Sequence, residues 1–113
     1  MADTYKLAQS KPAAATATTL YTVTANAAAV ISTIVVCNQS NISTTFRISI
    51  TPAGGTDDQT QQFTHYDVVI SGNDTYIAVI GLPIEAAAAN MGRIRVYAGA
   101  ATLSFTVGVL EIT

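Results

Sequence analysis

An all-β fold, a single-domain antiparallel β-sandwich in jelly-roll or Greek-key wiring, is predicted by three features of this sequence. Six or seven short segments rich in Val, Ile, Thr, Tyr and Phe are separated by Gly, Pro, Asn and Asp turns. Several of those segments alternate apolar and polar residues. At most one short helix fits, near residues 83–90. The 113 residues suffice for one core and no second domain.

Residues 2–9 are short and polar-leaning, with Tyr5 and Leu7 as spaced apolar anchors, and residues 10–19 are mostly Ala and Thr around Lys11-Pro12. Such a composition offers little to bury, so residues 1–18 read as an N-terminal arm ahead of a sandwich over 19–113. Residues 19–24 form the first strand. Residues 30–38 are apolar on both parities, with Val30, Ile34 and Val36 against Ile31, Val35 and Cys37, as expected of a central or covered strand. After the turn at residues 38–41, residues 44–51 alternate cleanly, with Phe46, Ile48 and Ile50 predicted inward.

A polar loop over residues 56–62 leads into a strand at 63–71, where Tyr66, Val68 and Ile70 share a parity opposite His65 and Asp67. Gly72-Asn73-Asp74 is a tight turn, predicted to join that strand to residues 75–80 as a hairpin. Residues 82–90, Pro-Ile-Glu and four alanines between Leu82 and Asn90, are the helix-friendly stretch. A strand over 93–98 carries Arg93, Arg95 and Tyr97 on one face. In the last strand, over 102–112, Leu103, Phe105, Val107 and Val109 share a parity. Leu110 and Ile112 take the other, so a bulge is predicted beside Gly108.

Composition narrows function. Half the residues are hydrophobic and only 11% are charged, against about 25% in ordinary soluble domains. The net charge is −2, so little repulsion opposes association. The one cysteine, Cys37, excludes an internal disulfide and sits in an apolar strand as a small hydrophobe. The start lacks the pattern of a signal peptide and no apolar run is long enough to span a bilayer, so synthesis in the cytoplasm and no membrane partner are expected.

No catalytic constellation is found. His65 is the only histidine; with Asp67 and a neighbouring Thr it forms a polar strand face, unaccompanied by a nucleophile motif. Asp57-Asp58 supplies too few carboxylates for Ca²⁺, and no phosphate-binding loop is present, so neither metal nor cofactor is expected. Three scattered arginines in a chain of pI about 4.9 argue against nucleic acid.

Two stretches carry a family resemblance. One is Thr19-Leu-Tyr-Thr-Val23 followed by Ile31-Ser-Thr-Ile-Val-Val-Cys-Asn38 and Thr44-Thr-Phe-Arg-Ile48. The other is Val96-Tyr-Ala98, then Thr102-Leu-Ser-Phe105 and the ending Gly108-Val-Leu-Glu-Ile112. From Tyr5 to Ile112 the chain resembles small virion proteins of tailed bacteriophages and modules of phage fibres and tailspikes. The resemblance implies a non-enzymatic structural protein. A free-standing chain this short resembles capsid cement or decoration proteins, commonly trimeric β-sandwiches, which implies the virion as location and the major capsid protein and self as partners. Tyr5, Leu7, Pro12, Arg93, Arg95 and Tyr97 are the candidate interface. Two alternatives stay open. One is a tail fibre, tailspike or baseplate accessory; the other is a carbohydrate-binding module using Tyr5, Tyr21, Tyr66, Tyr76 and Tyr97.

Overall fold

The computed structural model describes residues 3–113 as nine strands in two antiparallel sheets. Sheet A contains β1 (Asp3–Ser10), β9 (Leu103–Ile112), β3 (Ala28–Asn38) and β6 (Thr75–Val79) in that order, with β7 (Pro83–Ile84) also paired to β3. Sheet B contains β2 (Thr18–Thr22), β8 (Arg93–Ala98), β4 (Thr44–Thr51) and β5 (Phe63–Ile70) in that order. Consecutive strands alternate between sheets except at β4–β5 and the short β6–β7 step, and the first strand pairs with the last. This wiring is the jelly roll.

The core lies between the sheets. Phe46 and Ile48 from β4, Ile94 and Val96 from β8, Ile31, Ile34 and Val36 from β3, and Leu103, Phe105 and Val107 from β9 are all fully buried. Phe46 meets Tyr76 at 5.2 Å and Phe105 at 6.3 Å between ring centroids, joining the two layers. Ile50 is only partly buried, at the end of the predicted inward row.

At one end of the sandwich a buried side chain ties three connections together. Asn38 Nδ2 donates to the carbonyls of Ile42 and Ser71, while its Oδ1 accepts from Ser40 N and Thr102 Oγ1. The approach there is tight: a Cβ on Gly72 would lie 2.3 Å from the Asn41 backbone, so no side chain fits.

Five sequence expectations change. Residues 3–10 are not a free arm but strand β1, hydrogen-bonded along β9 and therefore part of sheet A; Ala2 lies outside the described residues. Its strand character is masked because it is an edge with one side open to solvent. The expected hairpin of 63–71 with 75–80 is absent, because the Gly72-Asn73-Asp74 turn passes from sheet B to sheet A. Residues 82–90 form no helix. Backbone carbonyls of Leu82, Ala87 and Asn90 instead accept from Ile31, Asn26 and Gly54, and a two-turn Ala helix has too few hydrogen bonds to offset nucleation.

The predicted change of face at Gly108 does not occur either. Alternation in β9 runs unbroken through Glu111, and the register shift lies in β3, between Ile31 and Thr33. The buried Glu111 carboxylate accepts from the Tyr21 hydroxyl, from Thr24 N at 3.1 Å and from Thr24 Oγ1 at 2.9 Å, with Lys6 Nζ at 3.9 Å. A charge is tolerated there because donors from three strands and connections converge on it.

The fifth concerns β5. Asp67 has φ of +51°, and register slips around it, so the parity reverses mid-strand. His65 and Val68 lean inward, whereas Tyr66 and Asp67 both face out. His65 was expected beside Asp67 on a wet face. It packs instead on Phe46 and Tyr76, at ring distances of 6.2 and 5.6 Å.

Candidate functional site: the two outer sheet faces

Residues paired directly across an antiparallel ladder share a face, which fixes what each sheet shows to solvent. On sheet A, Tyr5 pairs with Leu110, Leu7 with Gly108, Val30 with Leu110, Val35 with Thr106 and Ile77, and Thr33 with Val79. Tyr5, Leu7, Ile77 and Val79 remain 86, 70, 62 and 81% exposed. The only charged side chain of this parity in the strands is Asp3, at the rim. Cys37 also faces this way, half-buried.

The outer face of sheet B is the opposite in chemistry. Tyr97 pairs with Arg47, Arg95 with Ser49 and Arg93 with Thr51. The Arg47 guanidinium lies between two rings, 4.2 Å from Tyr66 and 4.4 Å from Tyr97. The outward turn at Asp67 brings its carboxylate onto Arg47, with Nε–Oδ1 at 2.6 Å and Nη2–Oδ2 at 3.3 Å. This hydrogen bond, with the charge of Asp67, holds the Arg47 pKa above its ordinary value despite partial burial.

The loop after β4 folds back over the same face. Arg93 Nε donates to Asp57 at 2.9 Å, and its other nitrogens reach the carbonyls of Met91 and Gly55. Arg95 meets Asp58 at 3.0 Å and Thr19 Oγ1 at 2.8 Å. Desolvation raises the Asp57 carboxyl, but hydrogen bonds from Arg93 and Thr51 and the two arginine charges outweigh it and leave the pKa below the usual range. Ser49 and Thr51 are buried on this outer face because the longer arginine and aspartate side chains lie over them.

The six predicted interface residues therefore separate. Tyr5 and Leu7 stand exposed on sheet A, Pro12 is buried within its own chain, and Arg93, Arg95 and Tyr97 line sheet B. Of the five tyrosines, only Tyr66 and Tyr97 come together. Tyr21 hydrogen-bonds Glu111 and Tyr76 packs into the core, while Tyr5 is on the other sheet. The sequence did place Arg93, Arg95 and Tyr97 on one stripe. It did not show that Arg47 and the Asp57-Asp58 loop would complete it, although the outward parity of Arg47, Ser49 and Thr51 was readable.

No protein-family model matches the sequence, and no curated protein matches it. Among solved structures, a protein of Bacillus endospore appendages, described as disulfide-linked pili, superposes with a TM-score of 0.53 at 12% identity. It covers 99% of this chain and 87% of its own. That likeness shows the fold alone. Infectious bursal disease virus, Gx strain, gives 0.46 at 11% identity over 96% of this chain and 31% of its own. The cyanophage Pam1 capsid gives 0.43 at 15% over 96% and 84%.

Proposed function

We propose that this chain is a non-enzymatic structural protein of a virus particle, a capsid cement or decoration protein of a tailed phage. It binds the outer surface of the major capsid protein and associates with itself, as a trimer. The observation that carries this reading is the uncharged apolar outer face of sheet A. Four large apolar side chains, Tyr5, Leu7, Ile77 and Val79, stand exposed on that one face, and contact with another protein is the usual reason for such exposure. Because the strand residues of that face carry no cation among the described residues and Asp3 alone at the edge, two copies meet there without like-charge repulsion. The phage assignment rests on the sequence resemblance. Many weak attachments repeated over symmetry-related sites would then reinforce the shell by avidity.

Cryo-electron microscopy of purified particles tests this. Density for the chain over the whole capsid lattice, in trimers buried through Tyr5, Leu7 and Val79, is the expected result. A few copies confined to the tail would instead favour a fibre or baseplate accessory, and absence from the particle would overturn both.

A further inference from the structure

The outer face of sheet B carries a groove of about 410 Å³, within the range of small-ligand sites. Its shape follows from side-chain size. Ser49 is a short residue between Arg95 on β8 and Phe63 on β5, while the next row across the sheet is the tall stack Tyr97, Arg47, Tyr66. Asp58 and Thr60, from the loop after β4, form the facing wall.

We propose that this groove binds a neutral oligosaccharide. Charge is the first reason. Arg47 is matched by Asp67, Arg95 by Asp58 and Arg93 by Asp57, so the face has no excess of either sign. An anion such as phosphate would have to displace a carboxylate from its arginine, whereas an uncharged ligand leaves every pair intact. Unspent hydrogen-bonding groups are the second. The hydroxyls of Thr60, Tyr66 and Tyr97 meet no hydrogen-bond partner among the described residues. Each both donates and accepts, as sugar hydroxyls do. Aromatic surface is the third: Phe63 and Tyr66 meet edge to face at 5.1 Å and offer apolar ring surface to the C–H faces of a pyranose.

The site is also held in advance of any ligand. Arg47 is clamped between two rings and gripped by Asp67, and Asp67 itself is held at φ of +51° by the bulge. Bulges of this kind re-aim side chains beside functional sites. Rigid rings and paired charges lose little freedom on binding, so a small ligand suffices to repay the ordering cost.

The test is a glycan array spanning bacterial capsular, O-antigen and peptidoglycan-derived oligosaccharides, probed with the full chain. The strongest hit is then titrated into ¹⁵N-labelled protein, with sodium phosphate as a parallel probe. The expected result is shifts confined to amides of residues 47–49, 58–66 and 95–97. Tyr97→Ala and Tyr66→Ala should each weaken binding about tenfold, while Leu7→Ala on the opposite sheet changes nothing. Tyr66 is more than half exposed, so its truncation keeps the test sound even if Tyr97→Ala lowers the melting temperature. A blank array, shifts produced by phosphate alone, or shifts centred on sheet A would each overturn the proposal.

Discussion

The two outer faces of this sandwich divide the chain's few charges very unequally. Of five Lys and Arg residues, three are on sheet B and none shares the outward parity of sheet A. Each sheet B arginine has an aspartate, and small residues fill the space beneath. Sheet A shows Tyr5, Leu7, Ile77 and Val79 instead. A low overall charge need not mean a uniformly bland surface. One face is suited to covering by protein, while the other is an internally neutralised polar surface.

The largest effect should come from the layer both faces share. Phe46 is fully buried and meets the rings of Tyr76 and Phe105 from sheet A and of His65 from its own sheet B. Phe46→Ala should cost about 3–5 kcal/mol through lost transfer energy and a cavity. Chemical denaturation measures it, and an unchanged midpoint would mean that the two faces are not coupled through this core.

The faces themselves are separated by a paired set of substitutions. Leu7→Lys with Val79→Lys should alter monomer stability by no more than about 0.5 kcal/mol, as at exposed sites generally, yet abolish self-association in sedimentation velocity. Asp67→Ala should do the reverse. It releases a half-exposed bidentate ion pair, costs about 0.5–1 kcal/mol and leaves association intact. If the sheet A double variant still sediments as an oligomer, the apolar face is not where copies meet.

How much of this was legible in the sequence depends on the element. The inward row of β4 and the doubly apolar β3 were readable, because alternation and β-branched density register burial directly. The bulges were not. One extra residue near Ser32 or Asp67 reverses parity without any compositional mark, so the outward pairing of Tyr66 with Asp67 was hidden. The passage from β5 to β6 was also hidden, since an Asn-Asp turn serves a hairpin and a sheet-crossing equally well. The first strand was misread for a related reason: an edge strand needs little apolar surface, and β1 gains its place through hydrogen bonds to β9.

The smallest expected effect is a pH dependence that distinguishes the core from the charged face. His65 is packed on Phe46 and Tyr76, and burial lowers its pKa below the ordinary 6.5. Above that value the ring is neutral in folded and unfolded chains alike, so it costs nothing. As pH falls through about 6.5 the unfolded chain takes up a proton that the folded chain resists. Stability therefore declines until the lower folded value is reached, then levels. Asp57 acts in a separate, more acidic window. Its folded pKa is also lowered, so its contribution is complete above the ordinary 3.8 and is lost as pH falls through the folded value. His65→Gln should remove the first decline and keep the second, while Asp57→Asn should do the opposite, both read from melting temperature against pH. If His65→Gln leaves the near-neutral slope unchanged, the ring is not held in the interior, and the parity reversal at Asp67 that separates His65 from the outward Tyr66 is wrong.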